Sequence, residues 1–72
     1  MAIRTKKVSD IPADRIDALA RKFSKALREF GYEKLTFDEV TESVAAVIAG
    51  TDSDTNVIHV IIRSELQKVI DN

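Results

Sequence analysis

The side chains with the clearest metal-ligating spacing lie in a polar segment before the last apolar run. Asp52, Asp54 and Asn56 alternate like the first three ligands of a calcium-binding loop, which wraps oxygen atoms around a hard cation. The later positions do not fit, because Val57 stands where the loop needs glycine and Arg63 where it needs a bidentate glutamate. We therefore interpret this segment as a solvated loop that supplies helix caps, and we predict no metal site.

The sequence contains one imidazole, His59, and no cysteine. Valine and isoleucine flank His59 on both sides, which is typical of a hydrogen-bonded histidine in a core or an interface. A general base needs a nucleophile and an orienting acid within reach, and no pattern here supplies them. We predict no catalytic residue and no cofactor, and hence a protein that is not an enzyme.

The side chains best suited to binding a partner are the cations of the first half. Residues 1–34 contain nine Lys or Arg and five acids, whereas residues 35–72 contain two and seven, so the net charge of −1 hides two oppositely charged halves. A basic surface of this kind binds phosphate or an acidic protein surface. The candidate patch for an anionic partner consists of Arg4, Lys6, Lys7, Arg15, Lys22 and Lys25.

Two uses of this basic patch compete. It can pair with the acidic half of a neighbouring copy, or it can contact nucleic acid. Asp14, Asp17 and Glu29 dilute the patch, and no exposed aromatic residue is expected among its cations for stacking on bases. We therefore favour a protein partner and keep a nucleic-acid-binding accessory role, using the basic arm and the first helix, as the alternative.

Two helices are predicted from start and stop signals in the sequence. Apolar residues recur at spacings of three and four over residues 11–31, with Ser9 or Asp10 as the cap and Gly31 as the end. A second helix over residues 37–50 begins with a capping box and a hydrophobic staple, and ends at a glycine. The residues of these signals are Thr36, Glu39, Leu35, Val40 and Gly50.

The third segment allows two interpretations. A helix over residues 54–71 would carry a broad apolar arc, whereas residues 56–62 are rich enough in valine and isoleucine to form a short strand. We prefer the helix, because a strand lacks a convincing partner and packing draws β-branched residues into helices. The predicted fold is therefore a small all-α, three-helix domain, with an α+β fold as the alternative.

The sequence predicts a flexible basic arm over residues 1–10, followed by a single helical domain over residues 11–72. The expected core consists of Phe23, Leu27, Phe30, Val40, Val44, Val47, Ile58, Ile62 and Leu66. A chain of 72 residues without a disulfide is marginal as a monomer, and association with other copies is a common remedy.

The apolar arc of the third helix is broader than one packing face needs. The candidate self-association surface consists of Val57, Val60, Ile61, Val69 and Ile70. We accordingly predict a cytoplasmic homo-oligomer that acts as a protein–protein interaction or regulatory module. No apolar run is long enough for a membrane span, so no membrane partner is expected.

Overall fold

A computed structural model describes residues 7–70 of the chain. Three α-helices follow one another: α1 (Ile16–Glu29), α2 (Phe37–Ala49) and α3 (Val57–Val69). No β-strand occurs within the described residues, so the prediction of a small all-α domain is confirmed. None of these helices is long and apolar enough to cross a lipid bilayer.

The alternative strand over residues 56–62 is wrong, because this stretch forms the first turns of α3. The Asn56 side-chain carbonyl accepts hydrogen bonds from the backbone N–H groups of Ile58 (3.0 Å) and His59 (3.3 Å), which caps the helix. Ile62 and Leu66, four residues apart, are fully buried on one face of α3. Packing along this face outweighs the strand preference of the β-branched residues.

The chain enters α1 through two 3₁₀ turns, Val8–Asp10 and Ala13–Arg15. Ile11 and Pro12 between these turns are extended, since a residue that precedes proline is driven out of the helical region. The predicted helix start at residue 11 is therefore wrong. Neither Ser9 nor Asp10 caps α1, whose first turn has no side-chain cap.

The boundary of the predicted arm also moves. Val8 lies in the first 3₁₀ turn and packs against the core, and Ile11 is buried within it. Residues 8–10 therefore belong to the folded domain. Of the rest of the predicted arm, Lys7 is exposed, and residues 1–6 lie outside the described residues.

The connection from α1 to α2 follows the predicted signals. Gly31 adopts a left-handed conformation (φ +96°), and the N–H of Tyr32 donates to the carbonyl of Leu27 at 3.0 Å. The N–H of Gly31 also donates to the carbonyl of Arg28 at 3.0 Å, which completes a Schellman motif. Tyr32 consequently packs against the core at the point where α1 ends.

Both ends of α2 are closed as the sequence predicts. The Thr36 hydroxyl accepts from the N–H of Glu39 at 3.1 Å, and the Glu39 carboxylate accepts from the N–H of Thr36 at 3.0 Å, so the capping box is complete. At the other end, Gly50 is left-handed (φ +78°), and the N–H of Thr51 donates to the carbonyl of Ala46 at 2.9 Å.

The core lies around α2, which packs against both other helices, whereas α1 and α3 contact each other less. Seven of the predicted core residues are buried: Phe23, Leu27, Val40, Val44, Val47, Ile62 and Leu66. Ile58 is half-buried and packs against this cluster. Phe30 was expected in the core but is 62% exposed, because α1 ends at Glu29 and the turn through Gly31 lays Tyr32 on the core instead.

We expect Thr36→Ala to destabilise the domain by about 1 kcal/mol, because the substitution removes the hydroxyl that caps α2. Urea unfolding followed by circular dichroism measures the loss. Ser64→Ala serves as the control, since Ser64 is exposed on α3 and its hydroxyl caps no helix. An unchanged urea midpoint for Thr36→Ala would contradict the capping box.

Gly31→Val should cost more than Thr36→Ala. A Cβ at Gly31 meets no atom within 4 Å, so the cost arises from forcing a β-branched residue into the left-handed conformation. Gly31→Asn should recover part of the loss, because asparagine tolerates this conformation better. Equal urea midpoints for the valine and asparagine variants would show that backbone conformation does not govern the site.

Candidate interaction surfaces

The basic face of α1 is defined as Lys22 and Lys25 on the solvent side of the helix, together with Arg15 at the end of the 3₁₀ turn before it. All three side chains are exposed, and none forms an ion pair with another residue in the range 7–70. Lys7 is also exposed, just before the first 3₁₀ turn. Arg4 and Lys6, which the sequence adds to the same patch, lie outside the described residues.

An aromatic ring lies beside this basic face, although the sequence pattern predicts none among its cations. The guanidinium of Arg21 lies 5.6 Å from the centroid of the Phe37 ring, in the range of a cation–π contact. Phe37 is the first residue of α2 and is 40% exposed. The helices bring the two residues together from positions far apart in sequence, so helical periodicity alone could not reveal the pair.

The solvent side of α2 carries the opposite charge. Asp38, Glu39 and Glu42 are exposed, and α2 contains no lysine or arginine. The hydrogen bonds from the backbone and then the hydroxyl of Thr36 hold the pKa of Glu39 below its ordinary value. Neighbouring helices therefore present opposite charges to solvent. The basic and acidic halves of the sequence form separate basic and acidic surfaces.

A groove of about 380 Å³ lies between α2 and the start of α3. Leu35, Ala46 and Ile58 contribute its apolar surface. Its polar residues are Glu39, Glu42, Ser43, Asn56 and His59. A second groove of about 410 Å³ runs along the connection from α1 to α2, and it is lined in part by Lys34.

His59 holds the loop before α3. Its Nδ1 accepts a hydrogen bond from the backbone N–H of Ser53 at 3.0 Å, and the ring is half-buried. The Ser53 hydroxyl in turn accepts from the N–H of Thr55 at 3.2 Å. These contacts give the imidazole a structural task in a polar turn.

The residues that resemble calcium ligands bind an arginine. The Arg63 guanidinium donates from Nε to Asp52 Oδ2 at 2.9 Å, from Nη2 to the same oxygen, and from Nη2 to Asp54 Oδ1 at 2.9 Å. Asn56, the third residue of the pattern, caps α3. Within the described residues, no group of three or more acidic, histidine or cysteine side chains could hold a metal ion.

The clasp that Arg63 forms with Asp52 and Asp54 shifts the pKa values of Asp52 and Arg63. The hydrogen bonds from Arg63 lower the pKa of Asp52, and those to Asp52 and Asp54 raise the pKa of Arg63. The Asp52 side chain is 11% exposed and that of Arg63 is 39% exposed. The clasp and the Ser53–His59 hydrogen bond together fasten the loop to α3 at two points.

The structure exposes fewer residues of the self-association surface than the sequence predicts. Val57 and Val60 are 55% and 40% exposed, and Ile61 is half-buried against the core. Val69 and Ile70 do not belong to this surface, since both are buried. Val69 lies on the same helical face as the core residues of α3, and the backbone is extended at Ile70, so its side chain leaves the helical pattern.

We expect acidification to weaken the domain through Asp52 and Glu39. Because both pKa values are lowered in the folded chain, their stabilisation is present above the ordinary values of 3.8 and 4.5 and is lost as the pH falls through the folded ones. Urea midpoints at about pH 6 and about pH 3 measure this loss. Asp52→Asn should reduce the difference between the two midpoints.

The matched control for this measurement is Glu33→Gln. Glu33 is exposed in the α1–α2 connection and makes no hydrogen bond or ion pair within residues 7–70. Its variant should show the full wild-type difference. If Asp52→Asn shows that full difference as well, the ionisation of Asp52 does not contribute to the acid sensitivity of the domain.

Comparisons with models of protein families, with curated protein sequences and with solved structures give no match to this chain.

Proposed function

We propose that this chain is a non-enzymatic protein–protein interaction module, regulatory in role, that associates with further copies of itself. The observation that carries the proposal is the apolar patch at the start of α3, defined as Val57, Val60 and Ile61. Two of its three residues remain substantially exposed in the single chain. Exposed apolar residues that cluster on one helix turn are typical of a docking surface.

The spacing of the patch supports this proposal. Val60 and Ile61 follow Val57 by three and four residues, so the three lie side by side on α3. Val57 and Val60 are exposed to solvent, Ile61 borders the core, and Ile62 and Leu66 are buried. A second copy that covers the patch would add apolar burial to a domain whose own core is small.

Composition and sequence supply the other parts of the proposal. The chain lacks cysteine, which fits a reducing, cytoplasmic location. No pattern of nucleophile, base and orienting acid accompanies His59, which is why we propose a binding role and not a catalytic one.

A nucleic-acid-binding accessory role is the second candidate, and the Arg21–Phe37 pair favours it. An exposed aromatic ring beside a row of cations can stack on a base while the cations contact phosphates. The acidic solvent side of α2 next to α1 opposes it, because the charges there repel phosphate. We therefore rank it below self-association.

The first test is the mass of the protein in solution. We expect at least a dimer at micromolar concentration, whereas the single chain has a mass of 8.0 kDa. Sedimentation equilibrium over a range of concentrations measures the association. A species of monomer mass up to about millimolar concentration would overturn the proposal.

The second test places a charge on the patch without harming the helix. Val57→Glu introduces an acid at the first residue of α3, where the helix dipole favours negative charge, so the fold should persist while assembly weakens. Gln67→Glu adds the same charge on an exposed part of α3 outside the patch and should leave assembly unchanged. Equal masses for both variants and the wild type would show that the patch is not the interface.

A further inference from the structure

The surface next to the apolar patch indicates which side chains of a second copy could bind there. Asn56 lines the 380 Å³ groove, and Val60 of the patch follows it by four residues, so the two residues are neighbours on the surface of α3. The patch therefore borders the groove at Asn56. An occupant of this surface has to satisfy the chemistry of both parts.

The groove fits the side chain of a lysine or arginine. Such a side chain combines an aliphatic stem with a charged head. Leu35, Ala46 and Ile58 offer apolar surface for the stem, and the carboxylates of Glu39 and Glu42 offer acceptors for the head. No lysine or arginine lines this groove, in contrast to the second groove with its Lys34.

Glu42 is the free acceptor of the two. Glu39 already accepts hydrogen bonds from the backbone and the hydroxyl of Thr36. Glu42 is exposed and makes no hydrogen bond or ion pair within residues 7–70. A cation that enters the groove would therefore meet a carboxylate with no competing partner in that range.

The chain itself supplies a complementary surface on α1. Lys22 and Lys25 lie three residues apart on the basic face, so they project from the same side of the helix. Both are exposed and form no ion pair with any residue in the described range. Two cations at this spacing can reach one acidic groove together.

We infer that the basic face of α1 in a second copy docks on the groove and the apolar patch, with Lys22 and Lys25 facing Glu42. This inference rests on the proposed self-association and adds which surface of the second copy meets α3. The contact joins two different surfaces of the chain, so each copy carries both a basic face that docks and an acidic groove that receives it. Charge complementarity selects this arrangement over the docking of two identical patches.

The test is an exchange of charges between the two surfaces. Glu42→Lys and the double variant Lys22→Glu with Lys25→Glu each place like charges in contact, so each should weaken self-association about tenfold. In an equimolar mixture, both contacts between unlike variants have opposite charges: one contact keeps the wild-type charges and the other has them exchanged. The mixture should therefore form mixed assemblies at the concentrations at which the wild type assembles, and native mass spectrometry detects them.

Asp38→Lys is the matched control, because Asp38 is exposed on α2 and lines neither groove. This variant should associate like the wild type. Far-ultraviolet circular dichroism and urea midpoints establish that every variant is folded. Added salt should weaken the wild-type assembly, since exposed charges beyond about 8 Å are screened at physiological ionic strength.

The outcomes separate this inference from the proposed function. If the wild type is monomeric at every concentration tested, both the proposed function and this inference are wrong. If Val57→Glu disrupts assembly while the charge exchange has no effect, only the docking of α1 is wrong. Submicromolar binding of a mixed-sequence oligonucleotide at about 150 mM salt, lost in the Lys22 and Lys25 variant, would assign the basic face to nucleic acid and overturn the inference.

Discussion

The reciprocal hydrogen bonds between Thr36 and Glu39 set the start of α2, and α2 carries both other helices. Four residues separate Gly31 from Thr36, so the left-handed turn at Gly31 and the capping box together fix how α1 returns along α2. The helix ends at Gly50, and the loop that follows is fastened to α3 by Arg63 and His59. Each interhelical contact therefore depends on a local signal at an end of α2.

This arrangement places the opposite charges of the two halves of the sequence on separate surfaces of the domain. The basic half of the chain contributes α1, and the acidic half contributes α2 and the loop before α3. Because α1 and α2 pack side by side, their solvent faces differ in charge although the whole chain is almost neutral. A nearly neutral molecule with this distribution can attract further copies at long range without a large net charge that would repel them.

The junctions between helices were predictable because their signals are local. The capping box and the two glycines act within a few residues of each other, so the sequence contains all that is needed. Helical periodicity failed where the chain leaves the helix. Phe30 and Ile70 each follow the last residue of a helix, and the 100° rule no longer determines where their side chains lie.

The candidate site was predictable only in part. Exposure of Val57 and Val60 follows from the width of the apolar arc, but the burial of Val69 depends on how α3 is seated on α2. The Asp52–Arg63 clasp joins residues eleven positions apart across a loop, and only the structure reveals that Asp52 and Asp54, with their calcium-like spacing, bind the guanidinium of Arg63. The Arg21–Phe37 contact depends in the same way on the packing of α1 and α2.

The two ends of α1 differ, and the difference determines how the domain opens. At its last turn, the carbonyls of Leu27 and Arg28 are bound by the N–H groups of the following turn. At its first turn, Arg15 offers no side-chain cap, and the chain arrives through short 3₁₀ turns. We therefore expect amide hydrogens in the first turn of α1 to exchange with solvent sooner than those near Leu27.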